Sequence, residues 1–273
     1  MKDALGDRMK MYEQVEAGRR LLPMVPALAR IDGRCFSKFT HGLARPFDAR
    51  LSELMVRTTE YLVEESVAVC GYTQSDEISL VWLQTSSESE IFFSGRIQKM
   101  VSQLAAMASA FFIRELPKAL PEVADRLPTF DARVWNVPNK DEAANTFLWR
   151  ELDAAKNSIS MAARHYFSHK QLHGKHGNEM QEMLWQKGVN WNDYPGFFKR
   201  GTFVQRRTVV RKFTTEEWER LPEKHEARLN PDLEIERSQV VRLEMPPFRS
   251  VKNRVGVIFS GEEPITSEAS HAG

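Results

Sequence analysis

The 273-residue sequence is poor in cysteine, with only Cys35 and Cys70. Two thiols cannot build a disulfide framework or a four-thiolate zinc site, and they favour a reducing compartment. Long hydrophobic runs are missing as well. The longest largely apolar stretch, Leu104 to Ile113, is broken by Ser109, whereas a membrane span needs about 20 apolar residues. The amino-terminal Met-Lys-Asp-Ala-Leu-Gly-Asp lacks the apolar core of a signal peptide. The expectation is a cytoplasmic protein with no membrane partner. A strong charge of either sign is absent too: 38 Lys and Arg stand against 37 Asp and Glu, a net +1. That excludes a uniformly basic nucleic-acid coat but leaves room for a local basic patch. There is no internal repeat and no Gly-rich fingerprint of the Rossmann or P-loop kind. Charged residues at 27% and hydrophobic ones at 42% are ordinary for a globular chain and rule out disorder throughout.

What is present is a pattern of elements. A polar helix is predicted over residues 1–22, ended by Pro23. Val25 to Ile31 reads as a buried strand, punctuated by Asp32-Gly33. Asp48 is a candidate N-cap for a helix carrying Leu51, Leu54, Met55, Thr58 and Leu62 at helical spacing. Val67 to Tyr72 and Ile78 to Leu83 read as strands around the polar turn Gln74-Ser75-Asp76-Glu77. A long helix follows, with Ile97, Met100, Val101, Leu104, Met107, Ala108, Phe111 and Phe112 on one stripe, ended by Pro117 and Pro121. Phe130 to Val137 is a fourth strand. The order β-α-β-β-α-β is that of a ferredoxin-like unit of the α/β (α+β) class. Beyond it, Asp141 is read as the cap of a helix of roughly 25 residues. A His/Lys/Gly-rich loop spans His169 to Gly177, and Asn178 to Gln186 is a short helix. Lys199 to Lys212 reads as a strand with one basic face. Thr215 is read as the cap of an acidic helix.

In that topology strands one and three are antiparallel neighbours, so the end of the first lies beside the start of the third. Asp32, Asp76 and Glu77 then meet at one edge of the sheet, and no Lys or Arg lies within the turn. Like charges so placed raise one another's pKa unless a cation intervenes. Mg²⁺ takes oxygen ligands and usually few protein carboxylates, and two such ions form the two-metal clamp of phosphoryl or nucleotidyl transfer. Ordinary turn chemistry explains each fragment alone; only their convergence favours the metal. Gly33-Arg34-Cys35-Phe36-Ser37 could turn its amides toward a triphosphate.

Arg30-Ile-Asp-Gly-Arg-Cys-Phe-Ser-Lys-Phe and Tyr72-Thr-Gln-Ser-Asp-Glu-Ile-Ser strongly resemble the tRNA-histidine guanylyltransferase family and its guanylyltransferase-like relatives. Phe130-Asp-Ala-Arg, Trp149-Arg, Gly188-Val-Asn-Trp-Asn and Lys199-Arg-Gly-Thr resemble its later blocks. The resemblance implies a polymerase-like palm working in the 3′-to-5′ direction on the 5′ end of tRNA. It implies two Mg²⁺ ions held by Asp32, Gly33 and Asp76, and GTP and ATP as substrates; Glu77 is read beside them as a supporting acid that orients ligands or water. Nucleotide contacts fall on Arg30, Asp32, Gly33, Arg34, Cys35, Phe36, Ser37, Arg45, Ser75, Asp76 and Lys99. It also suggests a homo-oligomer, a tetramer. The domain expectation is a palm-like catalytic core over 1–137, a C-terminal α/β part over 138–260 packed on it, and a mobile tail over 261–273.

The sequence departs from the family at Ala155-Lys-Asn-Ser-Ile-Ser-Met161, where eukaryotic members carry His-Ile-Asn-Asn-Leu-Tyr-Asn. Asp153 and Asn157 remain. The departure resembles the bacterial and archaeal branch that repairs 5′-truncated tRNA against a template; the alternative is a dedicated tRNA(His) guanylyltransferase. For tRNA contacts the candidates are Arg133, Asn157, Lys175, Lys187, Lys199, Arg200, Arg206, Arg207 and Arg211. A solvated charge face is the other reading of the basic run. His169, His173 and His176 read as a flexible loop rather than a zinc site. A palm-fold nucleotide cyclase and a non-catalytic tRNA-binding protein are the remoter readings.

Overall fold

The computed structural model describes residues 3–230 and 232–266. Helix α1 (Ala4–Ala17) starts where the Asp3 carboxylate accepts the Gly6 amide. It stops short of Pro23 because the following backbone finds other partners. Leu21 N–H donates to Gly95 O, and Leu22 N–H to the Asn136 side chain at 2.7 Å. Strand β1 (Ala27–Gly33) leads into the single turn α2 (Phe36–Phe39), then α3 (Ala49–Ser66), capped by Asp48 as expected. Strand β2 (Cys70–Gln74) begins three residues later than predicted. Val67 is not in a strand; it closes α3 with a left-handed backbone, φ 58°.

Strand β3 (Glu77–Trp82), α4 (Ile97–Ala119) and β4 (Phe130–Asn136) complete the unit. Pro117 does not end α4 as expected; it sits in the last turn, where its missing N–H costs one bond. The second half supplies α5 (Lys140–Tyr166), α6 (His169–Leu172), α7 (Gly177–Gln186) and α8 (Gly196–Arg200). Then come β5 (Thr202–Lys212), α9 (Thr215–Glu219), α10 (Glu226–Leu229), β6 (Glu234–Leu243) and α11 (Arg254–Ser260). Two caps fall earlier than expected, by two residues and by one. Asn139, not Asp141, caps α5 by accepting Glu142 N–H, and Thr214, not Thr215, caps α9 in a capping box with Glu217. The expected His-rich loop contains α6, held by a capping box between Ser168 and Gln171.

The six strands form one antiparallel sheet in the order β4-β1-β3-β2-β5-β6. Its first four reproduce the expected ferredoxin-like order, with β1 paired to β3. Alternation along the strands makes two cores. On one face Ala29, Ile31, Ile78 and Leu80 meet Leu54 and Leu62 of α3 and Leu104 and Phe112 of α4. Burying each large side chain contributes roughly 1.5–3 kcal/mol. Helix α3 lies so close that a Cβ on Gly71 would stand 2.7 Å from Val63 Cγ2. On the other face Leu28, Tyr72, Val81 and Phe203 meet Phe147 of α5, Phe248 and Val257. This second core fills only one end of its face. At the other end, where β1 finishes, the same face carries Arg30 and Asp32.

Beyond Arg206, whose N–H still donates to Val69 O, β5 pairs with β6 alone, so the two run on as a ribbon. Residues 261–266 return to the body: Ile265 N–H donates to the Asn253 side chain at 2.9 Å, and Thr266 bridges to Val251. The rest of the expected mobile tail, 267–273, lies outside the described residues. Among the described residues, no helix is long and apolar enough to cross a membrane.

Candidate active site

Antiparallel pairing sets Asp32 opposite Glu77 on one side and opposite Asp131 on the other. The Gly33 amide donates to Asp76 O at 3.0 Å, which fastens the end of β1 to the turn before β3. A Cβ on Gly33 would lie 2.3 Å from the Phe36 ring, so the loop can take this path only with glycine there. Asp32, Asp76 and Glu77 thus line one hollow of about 260 Å³, as the topology predicts.

The three acids are not equivalent. Glu77 is gripped by Arg150 of α5, whose Nε and Nη2 donate at 2.5 and 2.9 Å, while Arg30 Nε lies 3.8 Å away. Arg150 also reaches Asp153 at 3.1 Å and stacks on Trp149. No Lys or Arg lies within the turn, as the sequence shows, but α5 and β1 deliver Arg150 and Arg30 to Glu77 from outside it. Asp76 receives the Ser75 hydroxyl, at 3.0 Å, and forms no ion pair among the described residues. Burial pushes its carboxyl above the ordinary value and Asp32 adds to the rise, with Ser75 and the Asp76 backbone pulling against them. Burial also raises Glu77, against the pull of Arg150 and Arg30.

The two remaining carboxylates and the neighbouring Gly33 carbonyl form an oxygen-only set, of the kind Mg²⁺ completes with water and phosphate. Among the described residues no three His, Cys, Asp or Glu side chains gather into a fuller cage. The rings of His169 and His173 stand 6.3 Å apart.

The β1–α2 loop offers fewer free amides than expected. Gly33 N–H is used by Asp76 O and Arg34 N–H by Thr129 O at 2.8 Å. The first amides of α2, those of Phe36 and Ser37, have no helical carbonyl to satisfy them. A second hollow of about 280 Å³ shares Ser75 and Asp76 with the first and is lined by Phe36, Ser37, Ala44, Arg45, Phe47 and Phe197. Arg34 and Cys35 line a different hollow, on the far side of the loop. Lys99 is not brought here. It lies over Phe93, near Trp82 at the opposite end of β3, roughly 16 Å of strand from Glu77.

The proposed RNA-facing residues scatter. Arg133 lies opposite Arg30 in register and 3.4 Å from Asp131. Asn157 lines the carboxylate hollow. Lys175 pairs with Glu179 at 2.8 Å, and Lys187 ends α7. Lys199 and Arg200 belong to α8, not to a strand, and both turn inward. Lys199 lies over Trp191 and donates to Asn192 O, and burial lowers its pKa; Arg200 is 3.9 Å from the buried Glu151. The predicted single basic face is split by strand alternation. Arg206, bonded to Ser238, is on one face, while Arg207, paired with Glu263, and Arg211, paired with Glu217, are on the other.

Sequence reasoning assigned no role to Asp131, Arg150 or Arg164, and named Ser160 and Met161 only within the departing stretch 155–161; all but Asp131 line the carboxylate hollow. The signal was available. Positions 150, 153, 157, 160 and 164 repeat at helical spacing, a polar stripe beside the buried side that carries Phe147, Ala154, Ser158 and Ala162.

Residues 6–138 match the family model described as tRNAHis guanylyltransferase (Thg1). The tRNA(His) guanylyltransferase of Schizosaccharomyces pombe is 30% identical over 215 residues, 74% of this chain and 80% of that protein. A bacterial tRNA(His) guanylyltransferase-like protein solved in complex with ATP superposes with a TM-score of 0.76 at 34% identity, covering 94% of this chain and 98% of that one. A bacterial guanylyltransferase-like structure in complex with GTP gives 0.68 at 33% identity, covering 90% and 94%.

Proposed function

Because the chain belongs to the tRNA(His) guanylyltransferase family and is thereby a nucleotidyltransferase, we propose that it adds nucleotides in the 3′-to-5′ direction to the 5′ end of tRNA, repairing truncated ends against a template. One observation carries the site assignment. Asp32 and Asp76 converge at the joined ends of β1 and the β3 turn, and Arg150 is spent on Glu77 rather than on them. Two Mg²⁺ ions would be held by Asp32, the Gly33 carbonyl and Asp76. Bound there, they supply activation of the incoming nucleotide's 3′-OH and neutralisation of its triphosphate.

The chain's own residues do the positioning. Ser75 holds the Asp76 carboxylate, and Arg150 holds Glu77 aside. The partly aromatic hollow beside Asp76, with Arg45 at its rim, suits a base and its phosphates. Asn157 and Arg164 on the α5 side of the carboxylate hollow suit the phosphorylated 5′ end of the tRNA. The 3′-oxygen bonds to the 5′ phosphorus, and the bond to pyrophosphate or to an activating adenylate breaks. A homo-oligomer, a tetramer by the family pattern, is part of the same reading.

Template repair is favoured over a dedicated guanylyltransferase by α5. Ser160 and Met161 line the hollow where eukaryotic members carry Tyr and Asn. Fewer polar groups there should slow activation of a monophosphorylated end, while base pairing still places the correct nucleotide in line. The test uses tRNAs lacking the first nucleotide, with each of four bases opposite the gap and with mono- or triphosphorylated ends, beside full-length histidine tRNA. Addition should follow the opposing base and favour the triphosphate. Addition of G to full-length histidine tRNA alone, whatever base it faces, would sink the repair reading.

A further inference from the structure

On the other side of the β1–α2 loop from the carboxylates lies a hollow of about 610 Å³ that the mechanism above does not use. Arg34, Lys38, His41 and Arg126 line it, and no carboxylate does. Among the described residues none of the four forms an ion pair with Asp or Glu. Arg126 builds the wall: one Nη donates to both Phe39 O and His41 O, which ties residues 39–41 to the segment before β4. Beside the cations, Leu127 is 77% exposed and Phe39 supplies a buried apolar floor.

Its position follows from the two ties of the loop. Gly33 N–H is bonded toward β3, at Asp76, and Arg34 N–H toward β4, at Thr129. Strands β3 and β4 flank β1, so the two ties are separated by two strand spacings, roughly 10 Å. The carboxylates and the basic hollow are therefore neighbours across one turn of chain. Three cations, Arg34, Lys38 and Arg126, gathered without a counter-charge disfavour one another, and an anion relieves that cost. Cations beside an apolar ledge match the phosphate and sugar of a nucleotide, contacts that position a nucleic acid without reading its sequence.

We propose that this hollow binds a backbone phosphate of the RNA, close along the strand from the 5′ end that reacts at Asp32 and Asp76. The proposal rests on the RNA-substrate reading given above. A free nucleoside triphosphate or pyrophosphate carries the same chemistry, and the experiment separates the two sources.

The full chain is titrated with tRNA over a series of KCl concentrations, and separately with GTP and with pyrophosphate. Wild type is compared with Lys38→Gln, Lys38→Glu and the double variant Lys38→Gln/His41→Gln. Both side chains are exposed, and melting curves verify that each variant folds. The log–log salt slope for tRNA should flatten by about 0.7–0.9 in Lys38→Gln, further in Lys38→Glu, and at least as much in the double variant as in Lys38→Gln, with GTP affinity unchanged. An unaltered tRNA slope in all three variants would overturn the proposal. So would a loss of GTP or pyrophosphate affinity with the tRNA slope intact, which assigns the hollow to free phosphate compounds. Wild-type protein with no salt-dependent tRNA binding would overturn this site and the RNA reading together.

Discussion

Two regions of one sheet treat charge in opposite ways. At the end of β1, Asp32 and Asp76 meet with no ion pair to a cation among the described residues, although Arg150 and Arg30 stand within reach of Glu77. Along the β5–β6 ribbon three of the cations are matched to acids: Arg207 with Glu263 at 3.1 Å, Arg211 with Glu217 at 2.6 Å and Lys212 with Asp232 at 2.6 Å. Charge that folding leaves unmatched is held at a cost, and that cost is recovered when a ligand of opposite sign arrives. Charge that the fold already matches at an exposed surface carries much weaker implications. The number of basic residues in a stretch of sequence is therefore a poorer guide to binding than their pairing in space.

The largest expected effect tests the unmatched side. Asp32→Asn and Asp76→Asn should each cut nucleotide addition by several orders of magnitude, because metal-assisted stabilisation of the transferring phosphoryl group is worth several kcal/mol. Stability should move the other way. The Asp76 pKa is raised by burial and by Asp32, so the folded metal-free chain holds its proton more tightly than the unfolded chain does. Stability is then fully present below the ordinary carboxylate value and declines as pH rises through the raised one. Glu77 and Glu151, also raised by burial, contribute to the same decline. Asp76→Asn should flatten it in part, and Mg²⁺ should do so for wild type. Turnover and melting temperature between pH 4 and 8, roughly the span of perturbed carboxylates, check both. A variant that melts far earlier with no pH effect would return Asp76 to the status of a turn residue.

The unmatched side was also the legible one. Strand alternation, the Asp-Gly stop and the polar turn placed Asp32 beside Asp76 and Glu77 with no alignment, because β-α-β-β-α-β order dictates which strand ends meet. What escaped was anything delivered from a distance. Arg150 arrives from α5, 73 residues along the chain from Glu77, and no local pattern announces which acid a helix will grip. Lys99 fell at the wrong end of β3 for the same reason. Its resemblance to a family position says nothing of which end of the sheet α4 starts from. The ribbon misled through phase: the basic residues at 206, 207 and 211 look like one face until the period of two assigns them to opposite sides.

The next effect concerns the grip itself. The Arg150 and Glu77 side chains are only 11% and 16% exposed, and their bond is two-pronged. Removing Arg150 leaves the buried Glu77 with only Arg30, at 3.8 Å, and no forked contact. Arg150→Ala should therefore destabilise the fold by about 3–5 kcal/mol, measured by urea unfolding. Arg150→Lys should recover only part, since an ammonium cannot make the forked contact. If Arg150→Ala unfolds at the wild-type midpoint, the contrast between a gripped Glu77 and two free aspartates loses its structural basis.

The smallest effect probes the matched side. If the ribbon touches tRNA, Arg207 and Arg211 must exchange Glu263 and Glu217 for phosphate. Exchange releases fewer counterions than a fresh contact does, because the carboxylate that is let go acquires its own. Three fresh contacts would flatten the log–log salt slope by roughly 2–2.7 on neutralisation. The triple variant Arg206→Gln/Arg207→Gln/Arg211→Gln should fall well short of that, and Lys38→Gln should match or exceed the loss per residue. The converse substitution sharpens the point. Glu217→Gln keeps the capping box with Thr214, since glutamine accepts the same backbone N–H, but it frees Arg211. Binding of tRNA should then tighten and its salt slope steepen. Titrations of wild type, the triple variant and Glu217→Gln over one KCl series read all of this at once. A triple variant that loses the full slope of three contacts, with Glu217→Gln indistinguishable from wild type, would mean that the ribbon's ion pairs offer RNA no resistance. Pairing in space would then be no better a guide to this surface than counting along the sequence.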